Sequence, residues 1–152
     1  MALLAVDLAE NPWHTAKVWA DSSGVALAGL LARADTDGYI LVGHSSGARA
    51  MVTAAQTLAT NTEGPKIATI HVLGAGIRAK GDWRSLNDAV TDAVYNYYSN
   101  DKVLKNLYTV VQAGSKPPSL RGFGSKFPKI RDRNVSRLVT SHSDYCSRVD
   151  LV

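Results

Sequence analysis

Ser45 lies in Gly43-His44-Ser45-Ser46-Gly47, where an apolar run, Tyr39-Ile40-Leu41-Val42, gives way to a small-residue helical stretch, Ala50 to Ala59. A serine hydroxyl is a poor nucleophile until a base takes its proton. Histidine is the usual residue for that task, here His142, and the carboxylate of Asp101 would fix the imidazole tautomer and stabilise the imidazolium that forms. The chemistry open to such a set is acyl transfer from a carboxylic ester. The backbone N–H of Ser46, the residue after the nucleophile, would donate to the oxyanion. The plainer reading of the same five residues is a glycine-rich strand-to-helix turn without chemistry.

These residues must be positioned by a strand before the serine and a helix after it. In that context the serine occupies a sharp turn in a sparsely populated backbone conformation, where side chains at Gly43 and Gly47 are both expected to collide. Ala2 to Asp7 reads as a short buried strand, and Asn11-Pro12 breaks the pattern. Ser22-Ser23 would cap a helix running to about Arg33, with Leu27, Leu30 and Leu31 at helical spacing. Asp35-Thr36-Asp37-Gly38 turns the chain into the elbow strand, Tyr39 to Val42. Ile67 to Leu73 and Val94 to Tyr98 are β-branched or aromatic runs of the kind buried in parallel sheets. Between them, a loop with Asp82 and Trp83 leads into a short helix through Leu86 and Ala89. Val103 to Val111 has helical spacing, a long loop with Pro117-Pro118 follows, and Asn134 to Val139 reads as the last strand. Strands alternating with helices predict an α/β fold, a mostly parallel sheet with helices on both faces. Sites in such sheets form beyond the carboxyl ends of the strands, where Ser45, Asp101 and His142 all fall.

Other residues compete for these roles. His71 is mid-strand and reads as a satisfied core histidine. His44 occupies the variable elbow position, where it would support the loop but point away from the base. His14 comes too early in the chain. Asp82 is the runner-up for the acid, Asp101 could instead cap a helix from Lys102 onward, and Asp144 reads as a loop carboxylate.

One domain over residues 1–152 is the natural expectation for a chain of this length. The net charge is +4 and the pI near 9.3, with a basic cluster of Lys116, Arg121, Lys126, Lys129, Arg131, Arg133 and Arg137. Loop solvation is the main reading of that cluster, and an acidic lipid headgroup or nucleic acid the alternatives. It lacks the aromatic interleaving of a single-strand binder, so no nucleic-acid partner is expected. A single cysteine, Cys146, excludes an internal disulfide and a cysteine zinc site. No apolar stretch reaches membrane-spanning length, and Met1 to Val6 is too short, and lacks the basic start, for a secretory signal. A cytoplasmic address is the default expectation, with export by another route left open.

The chain resembles the α/β-hydrolase superfamily, and specifically the DUF726 family of uncharacterised lipase-like hydrolases. The resemblance rests on Leu41 to Arg49, on Val72-Leu73-Gly74-Ala75-Gly76 with Trp83, and on Asn96 to Leu104. It closes with Asn134-Val135-Ser136 and Ser141-His142-Ser143-Asp144-Tyr145. The order Ser, Asp, His is the one an α/β-hydrolase shows. The resemblance implies Ser45 as nucleophile, Asp101 as acid and His142 as base, with neither metal nor organic cofactor. The substrate would be a small-molecule or lipid ester, reached with peripheral membrane contact if it is a lipid. The superfamily places further strands, and the loop with the second oxyanion donor, upstream of Ala2 to Asp7. The domain therefore reads as N-terminally incomplete, with an exposed sheet edge that favours homo-oligomers. Two other function classes stay open: a catalytically degenerate binding module, and a binder of anionic surfaces through the basic cluster.

Overall fold

A computed structural model of the chain describes residues 12–34, 36–77, 82–100, 122–123 and 126–152. The expected strand Ala2 to Asp7, Asp101, the helix expected over Val103 to Val111, and Lys116 and Arg121 lie outside the described residues.

Helix α1 spans Pro12–Leu31 and starts well before the expected cap at Ser22. Proline breaks a helix in its interior, but at the first position its missing N–H has no intrahelical acceptor to lose and its fixed φ suits the turn. The helix lies against α2 (Ser46–Leu58). Ala20, Gly24 and Ala28 sit one turn apart on the buried side, and a Cβ on Gly24 would come within 2.6 Å of the Ala50 carbonyl oxygen. This close crossing is fixed in register by Asp21, which accepts from Arg49 Nε at 2.7 Å, Arg49 Nη2 at 2.8 Å and Thr53 Oγ1 at 3.2 Å. Two parallel N–H···O bonds give this pair more directional content than a point-charge contact has.

Four strands form the sheet, β1 (Gly38–His44), β2 (Lys66–Leu73), β3 (Val90–Tyr98) and β4 (Ile130–Asn134), in the order β1-β2-β3-β4 and all parallel. A short helix, α3 (Trp83–Ala89), runs directly into β3. Alternation along the strands sends Leu41, Ile70, Val72 and Val94 into one core with Ala48, Val52 and Ala55 of α2 and Trp83 and Leu86 of α3. The opposite face gathers Leu73, Ala93, Tyr95 and Tyr97 with Val135, Val139 and Tyr145. That last residue opens helix α4 (Tyr145–Arg148). The α/β arrangement expected from the sequence is thus the observed one.

The last strand ends, rather than begins, at Asn134, and Val135 to Leu138 forms a turn closed by Leu138 N–H donating to the Val135 carbonyl. The sequence Ile-Arg-Asp-Arg-Asn reads as loop because its outward positions carry arginines. Arg131 Nη1 donates to the Tyr95 hydroxyl at 2.8 Å, and the Arg131 and Arg133 guanidinium groups lie 5.5 and 5.6 Å from the Tyr95 ring centroid. The basic cluster is therefore not a solvated loop throughout: two of its members are strand residues packed on an aromatic ring. On β1, Ile40 and Val42 are 66% and 49% exposed. No helix among the described residues is long and apolar enough to cross a membrane.

Candidate active site at the carboxyl ends of the strands

Pairing in register aligns the strand ends, with His44 opposite Leu73, Leu73 opposite Tyr97 and Tyr97 opposite Arg133. Ser45 follows immediately, with φ 55° and ψ −119°, and is the single non-glycine residue at positive φ among those described. L side chains rarely adopt this conformation, so surrounding contacts must impose it. The Ser45 N–H donates to the Leu73 carbonyl at 3.0 Å, tying the turn to the end of β2, and α2 begins at the next residue. Gly43 makes the sharp turn feasible: a Cβ there would stand 2.6 Å from the Gly47 carbonyl oxygen and 2.7 Å from Ala48 Cα. Gly47 differs from expectation. Apart from its chain neighbours and its own helix backbone, nothing lies within 4 Å of a Cβ built there, so a side chain at this position meets open space.

Ser46 is the first residue of α2, so its N–H has no intrahelical acceptor and the positive end of the helix dipole is directed at the turn. An anion formed beside Ser45 would meet both.

The chain returns to this point at Thr140 to Tyr145. His142 opens a single 3₁₀ turn, His142–Asp144. Asp144 is more than a loop carboxylate: it accepts from Thr140 N–H and Oγ1 and from Ser141 N–H, each at 2.9 Å, and from Ser141 Oγ at 3.0 Å. The Thr140 and Ser141 donors hold its carboxyl far below the usual carboxylate range. Asp144 thereby fixes the backbone on which His142 is carried.

Tyr145 anchors the loop to the sheet. It is fully buried, its ring fills the space beside Gly74 (φ 52°), and its hydroxyl shares a 2.7 Å hydrogen bond with Ser99 Oγ. Next to Ser99, the Asn100 N–H donates to Ser136 Oγ at 3.3 Å. The stretch leading to Asp101 and the stretch carrying His142 are thus joined through a buried pair of hydroxyls. Asp101 itself lies outside the described residues.

The structure places His44 differently from expectation. Its Nε2 donates to the His142 carbonyl at 2.9 Å, and the two imidazole rings are 4.6 Å apart, tilted by 37°. A lone residue in an elbow variable position gives no sequence signal for such a contact, which closes across 98 residues of chain.

The remaining candidates fall elsewhere. His71 is a core histidine, with Nδ1 3.0 Å from the Tyr97 hydroxyl and the ring stacked on Tyr95, and burial lowers its pKa. His14 is exposed on α1. Asp82 caps α3 by accepting from the Ser85 N–H at 3.0 Å, and its carbonyl accepts from Gln56 of α2. Gln56 is ten residues beyond the start of α2, about 15 Å along the helix axis from the turn, so Asp82 belongs to the far end of that helix. Among the described residues no three His, Cys, Asp or Glu side chains converge as metal ligands do. A cavity of about 420 Å³ lies at the amino ends of β2 and β3, lined in part by Leu58, Lys66, Ile67, Val90 and Lys129, at the opposite edge of the sheet from Ser45.

A parallel α/β sheet with a strained serine between strand and helix defines the class of protein. The family model described as "Protein of unknown function (DUF726)" matches residues 1–152, and the chain belongs to that family. No curated protein and no solved structure matches it.

Proposed function

We propose that the chain is a serine hydrolase of the α/β-hydrolase type that cleaves carboxylic esters, with lipid-like esters as the substrate class the family resemblance favours. The observation that carries the reading is the backbone of Ser45, φ 55° and ψ −119°, at a junction where β1 ends and α2 begins. Strain of about 1–3 kcal/mol at a serine is kept only where surrounding structure enforces it, and such outliers gather at reactive sites. The contact of His142 with His44, the residue before Ser45, supports His142 as the base: its carbonyl accepts from His44 Nε2 and the two rings are 4.6 Å apart.

In this reading the Ser45 oxygen attacks the acyl carbon while its proton passes to the His142 imidazole. The carbonyl π pair moves onto oxygen, and the resulting oxyanion accepts from the Ser46 N–H at the positive end of α2. Collapse of this intermediate breaks the bond to the leaving alcohol, which takes the proton from His142 and leaves an acyl-serine. Water then repeats the sequence and releases the acid. Asp101 is the carboxylate assigned to orient His142, by chain order and because Ser99 and Asn100 lead into it from the contacts with Tyr145 and Ser136. Asp82 is engaged as the cap of α3 and is not assigned this role.

Hydrolysis of a p-nitrophenyl ester by the wild-type chain is the test. Ser45→Ala is expected to lower kcat by a factor of about 10³ or more, and His142→Ala by a comparable factor. Equal turnover by wild type and Ser45→Ala sinks the reading and leaves a binding module in its place.

A further inference from the structure

We propose that His44 is a positioning residue for the base, holding His142 on the nucleophile's own turn through its Nε2–H; this rests on the reading of Ser45 and His142 as nucleophile and base. A carbonyl oxygen only accepts, so the 2.9 Å contact from His44 Nε2 to the His142 carbonyl fixes Nε2 as the protonated nitrogen of His44. The bond joins the residue before the nucleophile to the base residue's own main chain. Three rings complete the assembly. His44 lies 4.6 Å from His142 and 5.6 Å from Tyr145, while His142 meets the Tyr145 ring edge-on at 6.2 Å.

The two other supports of the base loop act on different parts of it. Asp144 sets the loop's internal shape through Thr140 and Ser141, and Tyr145 docks it on the sheet against Gly74 and Ser99. Both act on the loop as a whole, through its internal hydrogen bonds and its seat on the sheet. His44 adds a bond from the residue next to Ser45 to the main chain of His142 itself, and a nucleophile–base pair misplaced by about 1 Å loses on the order of 10² in rate. Because the imidazolium also keeps an Nε2–H, the tether survives protonation of His44.

Gln and Met have nearly equal length, and Gln alone can donate from the place of Nε2; Phe keeps the ring without the donor. The experiment measures the rate at which a fluorophosphonate probe labels Ser45, together with kcat and KM for p-nitrophenyl butyrate and the melting temperature. His44→Phe and His44→Met are expected to lower kcat and the labelling rate by about tenfold or more, with KM within about twofold and melting unchanged. His44→Gln is expected to recover activity to within about threefold of wild type. The Met–Gln pair decides the matter if the Phe variant does not fold. Wild-type labelling rates in His44→Met, or a Gln variant as slow as the Met variant, overturn the tether and leave the nucleophile assignment standing. Absence of label on Ser45 in the wild type removes both.

Discussion

At the carboxyl end of the sheet a serine holds a left-handed φ, a glycine is pressed against a buried tyrosine ring, and two imidazoles lie 4.6 Å apart. At the amino end, a cavity of about 420 Å³ is lined by side chains with ordinary structural tasks. Lys66 Nζ donates to the Thr62 carbonyl and Lys129 Nζ to the Val90 carbonyl at 2.6 Å, each bonding main chain close by. What distinguishes the carboxyl end is strain combined with nucleophile and base types, and strain persists only where the fold enforces it.

The sharpest way to break the contrast is at Gly43. Gly43→Val puts side-chain atoms onto the backbone of Gly47 and Ala48, which cannot move without displacing α2. The expected result is a loss of about 2 kcal/mol or more by denaturant unfolding, and disappearance of esterase activity. Ser45→Gly comes next. Compared with Ser45→Ala it is expected to be more stable by about 1 kcal/mol, because glycine accepts φ 55° while alanine does not, and both are inactive. Equal stability of the two would show that the turn is not strained.

Asp144→Ala tests the loop that carries His142 and, on the proposed reading, is expected to slow turnover roughly three- to tenfold. Hydrogen bonds from Thr140 and Ser141 lower the folded pKa of Asp144 below its unfolded value. Its stabilisation is therefore complete above the ordinary carboxylate pKa near 4 and fades progressively below it. The melting-temperature gap between wild type and Asp144→Ala should stay constant from about pH 8 to pH 5 and close in stronger acid. The smallest effect belongs to the amino end. Lys66→Met, at an exposed position with one carbonyl partner, is expected to change stability by less than about 0.5 kcal/mol and activity not at all.

Much of the scaffold was legible because it follows local rules. Ile67 to Leu73 and the aromatic run ending at Tyr98 are β-formers in buried central strands, and Gly-x-Ser-x-Gly in the right neighbourhood announced the turn. Where sequence reading erred, tertiary contacts had outweighed local signals. The helix expected to be capped at Ser22-Ser23 starts at Pro12 instead, since proline at the first helical position costs little. The arginines of β4 concealed a strand because their partner is Tyr95 on the neighbouring strand. Asp144 closes a capping box with Ser141, a Ser-x-x-Asp spacing that is present in the sequence, whereas the role of His44 depends on a contact across 98 residues that has no spacing to find.

The central claim is that Ser45 is a nucleophile activated by His142. It is tested most directly by treating the chain with a fluorophosphonate and locating the adduct by peptide mass spectrometry. The account predicts one adduct, on Ser45, absent from Ser45→Ala and formed at least about 10²-fold more slowly in His142→Ala. Label spread over other serines, or formed on Ser45 at the same rate without His142, would contradict it.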